Sequence, residues 1–340
     1  MNFILKNENA VYYECGFSCD NVIFLKLGSE AFFITDGRYT TEAKEYIKNA
    51  EIIQSEYDLQ KTARKLLRKH KIKKIIYDPL EWSVEDFYKL SSKLKCHFKK
   101  EINFSQKKRI IKNDKEIAIL KQAVKLGEKG FERFVEFLRN SGIEKNEKKL
   151  FFKAIELLTN EGELYTSFDP IVAINENSAK PHSLPSDKIL KNNDILLFDA
   201  GIKYKRYCSD RTRMTEINGN FDFNIKQKFQ DKKRQKIYDT VLKAKDEAFK
   251  RVKEGVKAKE IDKAARDIIE KAGYGKYFVH STGHGVGLDI HELPVISKRN
   301  ETILEENMVF TIEPGIYIPG EFGIRIEDMI VIKNSAGKIL

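Results

Sequence analysis

The sequence predicts two domains: a small α/β domain, then a larger α+β domain in which an antiparallel sheet is flanked by helices. Three observations predict this. The chain has 340 residues, 41% of them hydrophobic, which suffices for two cores and excludes wholesale disorder. Up to about Ser105, strand-like and helix-like segments alternate. Beyond it, long amphipathic helices and runs of strands are segregated. The expected domains are 1–105 and 106–340.

In the first domain, Val22–Leu27 (VIFLKL) and Ala31–Thr35 (AFFIT) are apolar and rich in aromatic and β-branched residues, and Gly28-Ser29-Glu30 between them signals a hairpin. Helices are expected at Thr40–Asn49, Leu59–His70 and Val84–Leu94, with a short strand at Lys74–Asp78 that Pro79 ends. His70 and His97 stand apart from any carboxylate or cysteine cluster and read as surface residues, and Trp82 is remote from every motif.

The second domain opens with a helix that Asn113 or Asp114 can cap, its face marked by Ile117, Leu120, Val124 and Phe131. A helix near Asn146–Glu161 follows, then strands at Pro170–Ile174, Asp194–Ala200 and Arg206–Met214. Asn218–Gln230 has no period and reads as a loop. Helices are expected near Lys232–Val252 and Lys259–Ala272, and strands around Val309–Ile312 and Ile324–Ile332.

Composition excludes several classes. The net charge is +11, yet Lys and Arg are interleaved with Asp and Glu, as in Lys112–Arg133, so the pattern is of solvated helix faces, not a nucleic-acid stripe. No apolar run is long enough for a membrane span, and the opening MNFILKNENAV lacks the layout of a secretory leader. The four cysteines form no disulfide framework; Cys15 and Cys19 lack the further ligands of a zinc site and read as packed thiols, which fits a reducing cytoplasm.

Chemistry concentrates in the second domain. Three histidines fall within HSTGHGVGLDIHE, namely His280, His284 and His291, and His182 lies upstream in AKPH. Asp199 ends an apolar strand in LLFDAG, where a carboxylate is costly to bury without a cation or donors. Asp210 follows in CSDRT, and convergence of the two needs paired strands. Glu313 lies in FTIEPG and Glu327 in GIRIED, where period two puts Arg325 and Glu327 on one strand face. Four carboxylates together repel one another, and two divalent cations neutralise them. With His284 added, the donor set is oxygen-rich and suits Mn²⁺, Co²⁺, Fe²⁺ or Zn²⁺ over a thiolate-type site. Cys208, close to Asp210, reads as packing. Gly283, Gly285 and Gly287 do not match a nucleotide fingerprint and are expected to let the backbone approach a substrate.

FDAG, SDRTR, HSTGHGVGLDIHE, TIEPG and RIED, in that order, resemble the motifs of the pita-bread metallopeptidases. The segment FDPIVAINENSAKPH (168–182) and ITDGRYTTEA (34–43) resemble the Xaa-Pro branch, the latter its creatinase-type N-terminal domain. The resemblance implies a pita-bread catalytic domain behind a creatinase-like α/β domain. It implies that Asp199 binds one metal ion, that Asp210 and Glu327 bridge two, and that His284 and Glu313 complete the set of ligands on the other ion. Mn²⁺ is the expected ion. The implied activity is an Xaa-Pro aminopeptidase, in which a metal-bridging hydroxide attacks the bond between an N-terminal residue and proline. In that scheme His182 and His291 are expected to contact the substrate and aid catalysis, Glu313 to shuttle the proton, His280 to line the pocket beyond the scissile bond, and Arg325 to orient carboxylates. The implied partners are proline-containing peptides and a second subunit of a homodimer. The alternatives are an Xaa-Pro dipeptidase, a methionine aminopeptidase and a non-catalytic binding protein. Some dipeptidases of the family carry a basic residue after the HE-x-P motif, where this chain has Val295.

Overall fold

Val22–Leu27 and Glu30–Thr35 pair antiparallel, from Val22 opposite Thr35 to Leu27 opposite Glu30, and Gly28 takes the turn with φ +63°. This hairpin is the centre of the first of two compact units, Met1–Arg109 and Ile110–Leu340, in a computed structural model that describes residues 1–56 and 58–340.

In the first unit a mixed sheet runs in the order Glu51–Gln54, Glu30–Thr35, Val22–Leu27, Phe3–Leu5, Lys74–Tyr77, His97–Lys100. Alternate residues serve opposite faces. Phe3, Leu5, Phe24 and Phe33 pack with Ala10 and Val11 of the helix Glu8–Cys15. Ile4, Ile23, Leu25 and Ile34 pack with Ala63, Leu66 and Leu67 of the helix Leu59–Lys69, and Trp82 joins this side. Cys15 and Cys19 are buried thiols. The strand Phe3–Leu5 and the helix Glu8–Cys15 escape a sequence reading because each is short and only weakly patterned. Two helices are shorter than expected, Thr40–Tyr46 and Val84–Ser91. His97 is exposed, but His70 is half-buried, its ring 5.3 Å from that of Phe32 and its Nδ1 3.3 Å from Glu30, which corrects the surface reading. The unit runs to Arg109, because the helix Phe104–Arg109 belongs to it: Tyr13 Oη donates to the Lys108 carbonyl at 3.4 Å and Arg109 Nη1 to Ser105 Oγ at 2.9 Å.

The second unit begins with the helix Asp114–Phe137, whose first turn is closed by Asn113 and Glu116 as a reciprocal cap. The helix Glu147–Leu158 follows, capped by Asn146. Ile171–Ile174, Ile195–Ala200 and Arg211–Glu216 form an antiparallel sheet buried on both faces. Val172, Leu196 and Phe198 face Phe131, Phe134 and Leu150 on those helices. Ala173, Leu197 and Met214 face Val241, Ala244 and Ile261 on Lys232–Arg251 and Ala258–Lys271. A five-stranded antiparallel sheet runs Glu292–Ile296, Gly283–Gly285, Val309–Ile312, Asp328–Lys333, Ala336–Ile339, and Gly315–Ile318 pairs with Phe322–Arg325. Residues 218–230 form no regular element. No described helix is long and apolar enough to cross a membrane.

Two expected strands are each broken. Arg206–Met214 divides into Tyr207–Cys208, paired with Ile202–Tyr204, and Arg211–Glu216, paired with Ile195–Ala200. The hairpin bends where Gly201 passes Ser209 so closely that a Cβ on Gly201 would lie 1.8 Å from the Ser209 carbonyl oxygen. Ile324–Ile332 divides at Ile326-Glu327, its first half in one sheet and its second in another. Asp210 and Glu327 sit at these two breaks.

Candidate functional site

Asp199 is paired across the ladder with Thr212, and Thr212 organises the residues around it. Its hydroxyl donates to Glu327 Oε2 at 2.7 Å and accepts from Arg325 Nε at 3.1 Å. Arg325 Nη2 donates to Asp199 Oδ2 at 2.6 Å. Arg325 and Glu327 therefore do reach one side, as period two predicts, although the strand ends between them. The Glu327 N–H donates to the Thr212 carbonyl at 3.2 Å, which ties the two strand breaks together.

The remaining carboxylates meet an imidazole. The His284 ring lies with Nδ1 3.1 Å from the Gly285 carbonyl, which can only accept, so Nδ1 carries the proton. Its Nε2 lone pair then faces Asp210 Oδ2 at 3.5 Å and Glu313 Oε1 at 3.4 Å. A lone pair aimed at two acceptors has no favourable partner unless an electrophile lies between them. Asp199 Oδ1 and Glu327 Oε1 are buried and accept no hydrogen bond. One ligand atom each from Asp210, His284 and Glu327 lies within 4.8 Å of the others. Such a set of orphaned acceptors around an imidazole lone pair fits divalent cations bound by oxygen and one nitrogen.

The electrostatics agree. Burial, then repulsion by Glu327, pushes the carboxyls of Asp210 and Glu313 well above their ordinary range. Burial and Asp199 raise Glu327 to about 8. Burial and His291 lower His284 to about 4. Both proton uptake by the imidazole and full ionisation of the acids are unfavourable here, which is the environment a cation relieves.

A second chain of hydrogen bonds starts from Arg325. Its Nη1 donates to Tyr317 Oη at 2.8 Å, Tyr317 Oη donates to His280 Nε2 at 2.8 Å, and His280 Nδ1 donates to the Ser281 carbonyl at 2.7 Å. Burial lowers His280 to about 4 and raises the Tyr317 phenol to about 12, so both are neutral at pH 7. Tyr317 and Thr212 escape the sequence reading. GIYI looks like plain core, and Thr212 lies inside SDRTR, where its neighbours draw the attention.

All nine of the side chains expected at the site line one cavity of about 590 Å³ in the second unit: Asp199, Asp210, Glu313, Glu327, Arg325, His182, His280, His284 and His291. The same lining includes the apolar side chains of Phe151, Phe168, Ile171, Leu184 and Val295. His182 and His291 are exposed, and the His291 ring stands edge-on to that of His284 with centroids 4.4 Å apart. The three glycines need a different account from the one expected. A Cβ on Gly283 would lie 1.9 Å from the Thr311 carbonyl oxygen, one on Gly285 2.2 Å from that of Leu293, and one on Gly287 2.4 Å from Glu292 Oε1. They admit neighbouring protein atoms, not a substrate. Cys208 is buried, with its Sγ 3.7 Å from the Leu288 carbonyl oxygen, as packing requires.

Comparison with known proteins gives consistent matches. The model of metallopeptidase family M24 matches residues 118–334, and that of the creatinase/prolidase N-terminal domain matches residues 2–111. An uncharacterized peptidase of Bacillus subtilis is 35% identical over 342 residues, covering 99% of this chain and 92% of its own. A solved Xaa-Pro dipeptidase from Bacillus anthracis superposes with a TM-score of 0.91 at 32% identity, over 99% of this chain and 92% of the other. An X-Pro aminopeptidase from Thermotoga maritima superposes with a TM-score of 0.86 at 34% identity, over 99% and 94%.

Proposed function

The chain belongs to metallopeptidase family M24, with a creatinase/prolidase N-terminal domain and a pita-bread catalytic domain, and from that premise we propose that it cleaves the bond between an N-terminal residue and proline at a dinuclear metal centre. The observation that carries the reading is the His284 Nε2 lone pair set between Asp210 and Glu313, beside the partnerless oxygens of Asp199 and Glu327. In this reading Asp199, Asp210, His284, Glu313 and Glu327 would hold the two ions. Mn²⁺ is the proposed ion, with Co²⁺, Zn²⁺ or Fe²⁺ acceptable to the same oxygen-rich donors. When bound, the ions polarise the scissile carbonyl and lower the pKa of a water to about 7.

The chain's own side chains supply the rest. Glu313 takes the proton of the attacking water and delivers it to the proline nitrogen, which has no N–H in the peptide and leaves only once protonated. His291 and His182, exposed at the cavity, donate to the carbonyl oxygen as it gains negative charge. His280, with its proton committed to the Ser281 carbonyl, forms a fixed wall for the residue after the scissile bond. Arg325 orients Asp199.

Aminopeptidase action, as opposed to dipeptidase action, is supported by the cavity lining. Among the described residues there, Arg325 is the only Lys or Arg, and it is already bonded to Asp199 and Tyr317. Val295 stands at the rim, 40% exposed. The carboxylate of a dipeptide therefore finds no free guanidinium or ammonium among the described residues of that lining. The test is hydrolysis of Ala-Pro and Ala-Pro-Ala by protein stripped of metal and reloaded with Mn²⁺, with Asp210→Ala alongside. Metal-dependent cleavage of both, lost in the variant, is the expected result. Cleavage of Ala-Pro alone makes it a dipeptidase, and cleavage of methionyl peptides alone overturns the proline specificity.

A further inference from the structure

Glu147 is a fully buried carboxylate in the first turn of the helix Glu147–Leu158, outside every motif discussed so far. Its oxygens accept four hydrogen bonds, all from one segment of chain. Oε1 accepts from Ile174 N at 2.7 Å. Oε2 accepts from Asn177 Nδ2 at 2.7 Å, Ser186 N at 2.7 Å and Ser186 Oγ at 2.5 Å. One side chain thus closes both ends of the loop from Ile174 to Ser186. Within that loop, Pro181, His182, Ser183 and Leu184 line the cavity.

The remaining contacts support the same role. Asn177 Nδ2 also donates to the Leu184 carbonyl at 3.0 Å, so the side chain held by Glu147 holds the far limb of the loop. On the other side, Ser178 Oγ donates to the Gly323 carbonyl at 3.0 Å and accepts from Gly323 N at 2.9 Å, on the strand that ends at Arg325. His182 itself is exposed, so its place over the cavity is set by the path of the backbone. A loop of this length costs entropy to hold in one conformation, and four bonds to one carboxylate meet that cost at its two ends.

We infer that Glu147 is a positioning residue for the peptidase reaction, fixing the loop that presents His182 to the substrate; this rests on the role of His182 in the function proposed above. Glu147→Gln is the discriminating variant. An amide has one acceptor oxygen, so whichever way it is turned its NH₂ faces an N–H that has lost its acceptor.

The experiment compares wild type, Glu147→Gln, His182→Ala and the double variant, each loaded with Mn²⁺ and assayed on whichever peptide the wild type cleaves fastest. Kcat is expected to fall roughly a hundredfold in Glu147→Gln at unchanged metal content, the scale that misplacement by about 1 Å produces. The double variant is expected to be no slower than His182→Ala alone, because the two substitutions remove one effect. Hydrogen–deuterium exchange read on the same proteins without substrate should quicken by roughly tenfold or more across 175–186 in Glu147→Gln, with Val309–Ile312 unchanged. Multiplying losses in the double variant, or unchanged exchange in the loop, overturns the inference. If Glu147→Gln does not fold, Ser186→Ala removes one of the four donors and is expected to give the same non-additive pattern at several-fold magnitude. A wild type that cleaves only peptides without proline overturns the proposed specificity and leaves this comparison decisive.

Discussion

Arg325 and Asp199 form an ion pair at 2.6 Å with side chains only 4% and 11% exposed, and the same guanidinium bonds Thr212 and Tyr317. Removing the cation leaves a buried acid beside other buried acids. Arg325→Met should therefore destabilise the metal-free protein by about 3 kcal/mol or more. Chemical denaturation with and without Mn²⁺ checks this, and the deficit should shrink when metal is present.

Stability of the metal-free protein should fall between about pH 6.5 and 8. Glu327 has its pKa raised from 4.5 to about 8, so the folded state holds a proton that the unfolded state has lost, and that stabilisation disappears as pH rises through the folded value. His280 and His284 are lowered from 6.5 to about 4, and they act oppositely, adding stability as pH rises from about 4 to 6.5. The two effects offset each other below pH 6.5 and leave the acids unopposed above it. Melting temperatures of chelator-treated protein across this range decide the matter, and loading with Mn²⁺ should abolish the decline.

Val295→Arg should favour dipeptides. The position lies at the cavity rim opposite His284 in the ladder, where a guanidinium can reach a substrate carboxylate. One charge-assisted bond of about 1.5 kcal/mol corresponds to a roughly tenfold rise in kcat/KM for Ala-Pro relative to Ala-Pro-Ala. An unchanged ratio counts against the lining as the source of length tolerance.

Tyr317→Phe should free His280 Nε2 without unfolding the chain. The imidazole acceptor loses its partner, while Arg325 Nη1 keeps its bond to the Pro181 carbonyl at 3.2 Å. Nitrogen-15 chemical shifts of His280 should show Nε2 losing its hydrogen-bond donor while Nδ1 keeps its proton on the Ser281 carbonyl, and KM should rise more than kcat falls.

Gly283→Ala should cost several kcal/mol, because its Cβ would lie 1.9 Å from a strand carbonyl that cannot move without breaking the ladder. Urea unfolding of metal-free protein measures this separately from any loss of metal.

Much of the site was legible in the sequence because its acids interrupt apolar strands. Asp199, Glu313 and Glu327 each follow buried residues in LLFD, FTIE and IRIE, and a carboxylate there demands compensation. The helix Asp114–Phe137 was legible from its cap and apolar face. What escaped depends on tertiary context. Nothing in Arg206–Met214 or Ile324–Ile332 announces that the strand changes sheets midway, since no Gly or Pro marks either break. Glu147 looks like any first-turn acid, and its four donors come from residues 174 to 186. The glycines of GHGVG were legible as close approaches, but which atoms approach depends on the neighbouring strands.

The two strand breaks have a bearing on how the centre comes into being. Asp210 and Glu327 lie where the chain passes from one sheet to another, and the Glu327 amide meets the Thr212 carbonyl across that seam. No single hairpin contains the donor set, which runs from Asp199 to Glu327 along the chain. A nascent or half-folded chain therefore offers stray cations only scattered acids of weak affinity. Discrimination among ions is left to the finished architecture, and occupancy of the centre becomes a report that assembly of the catalytic unit is complete.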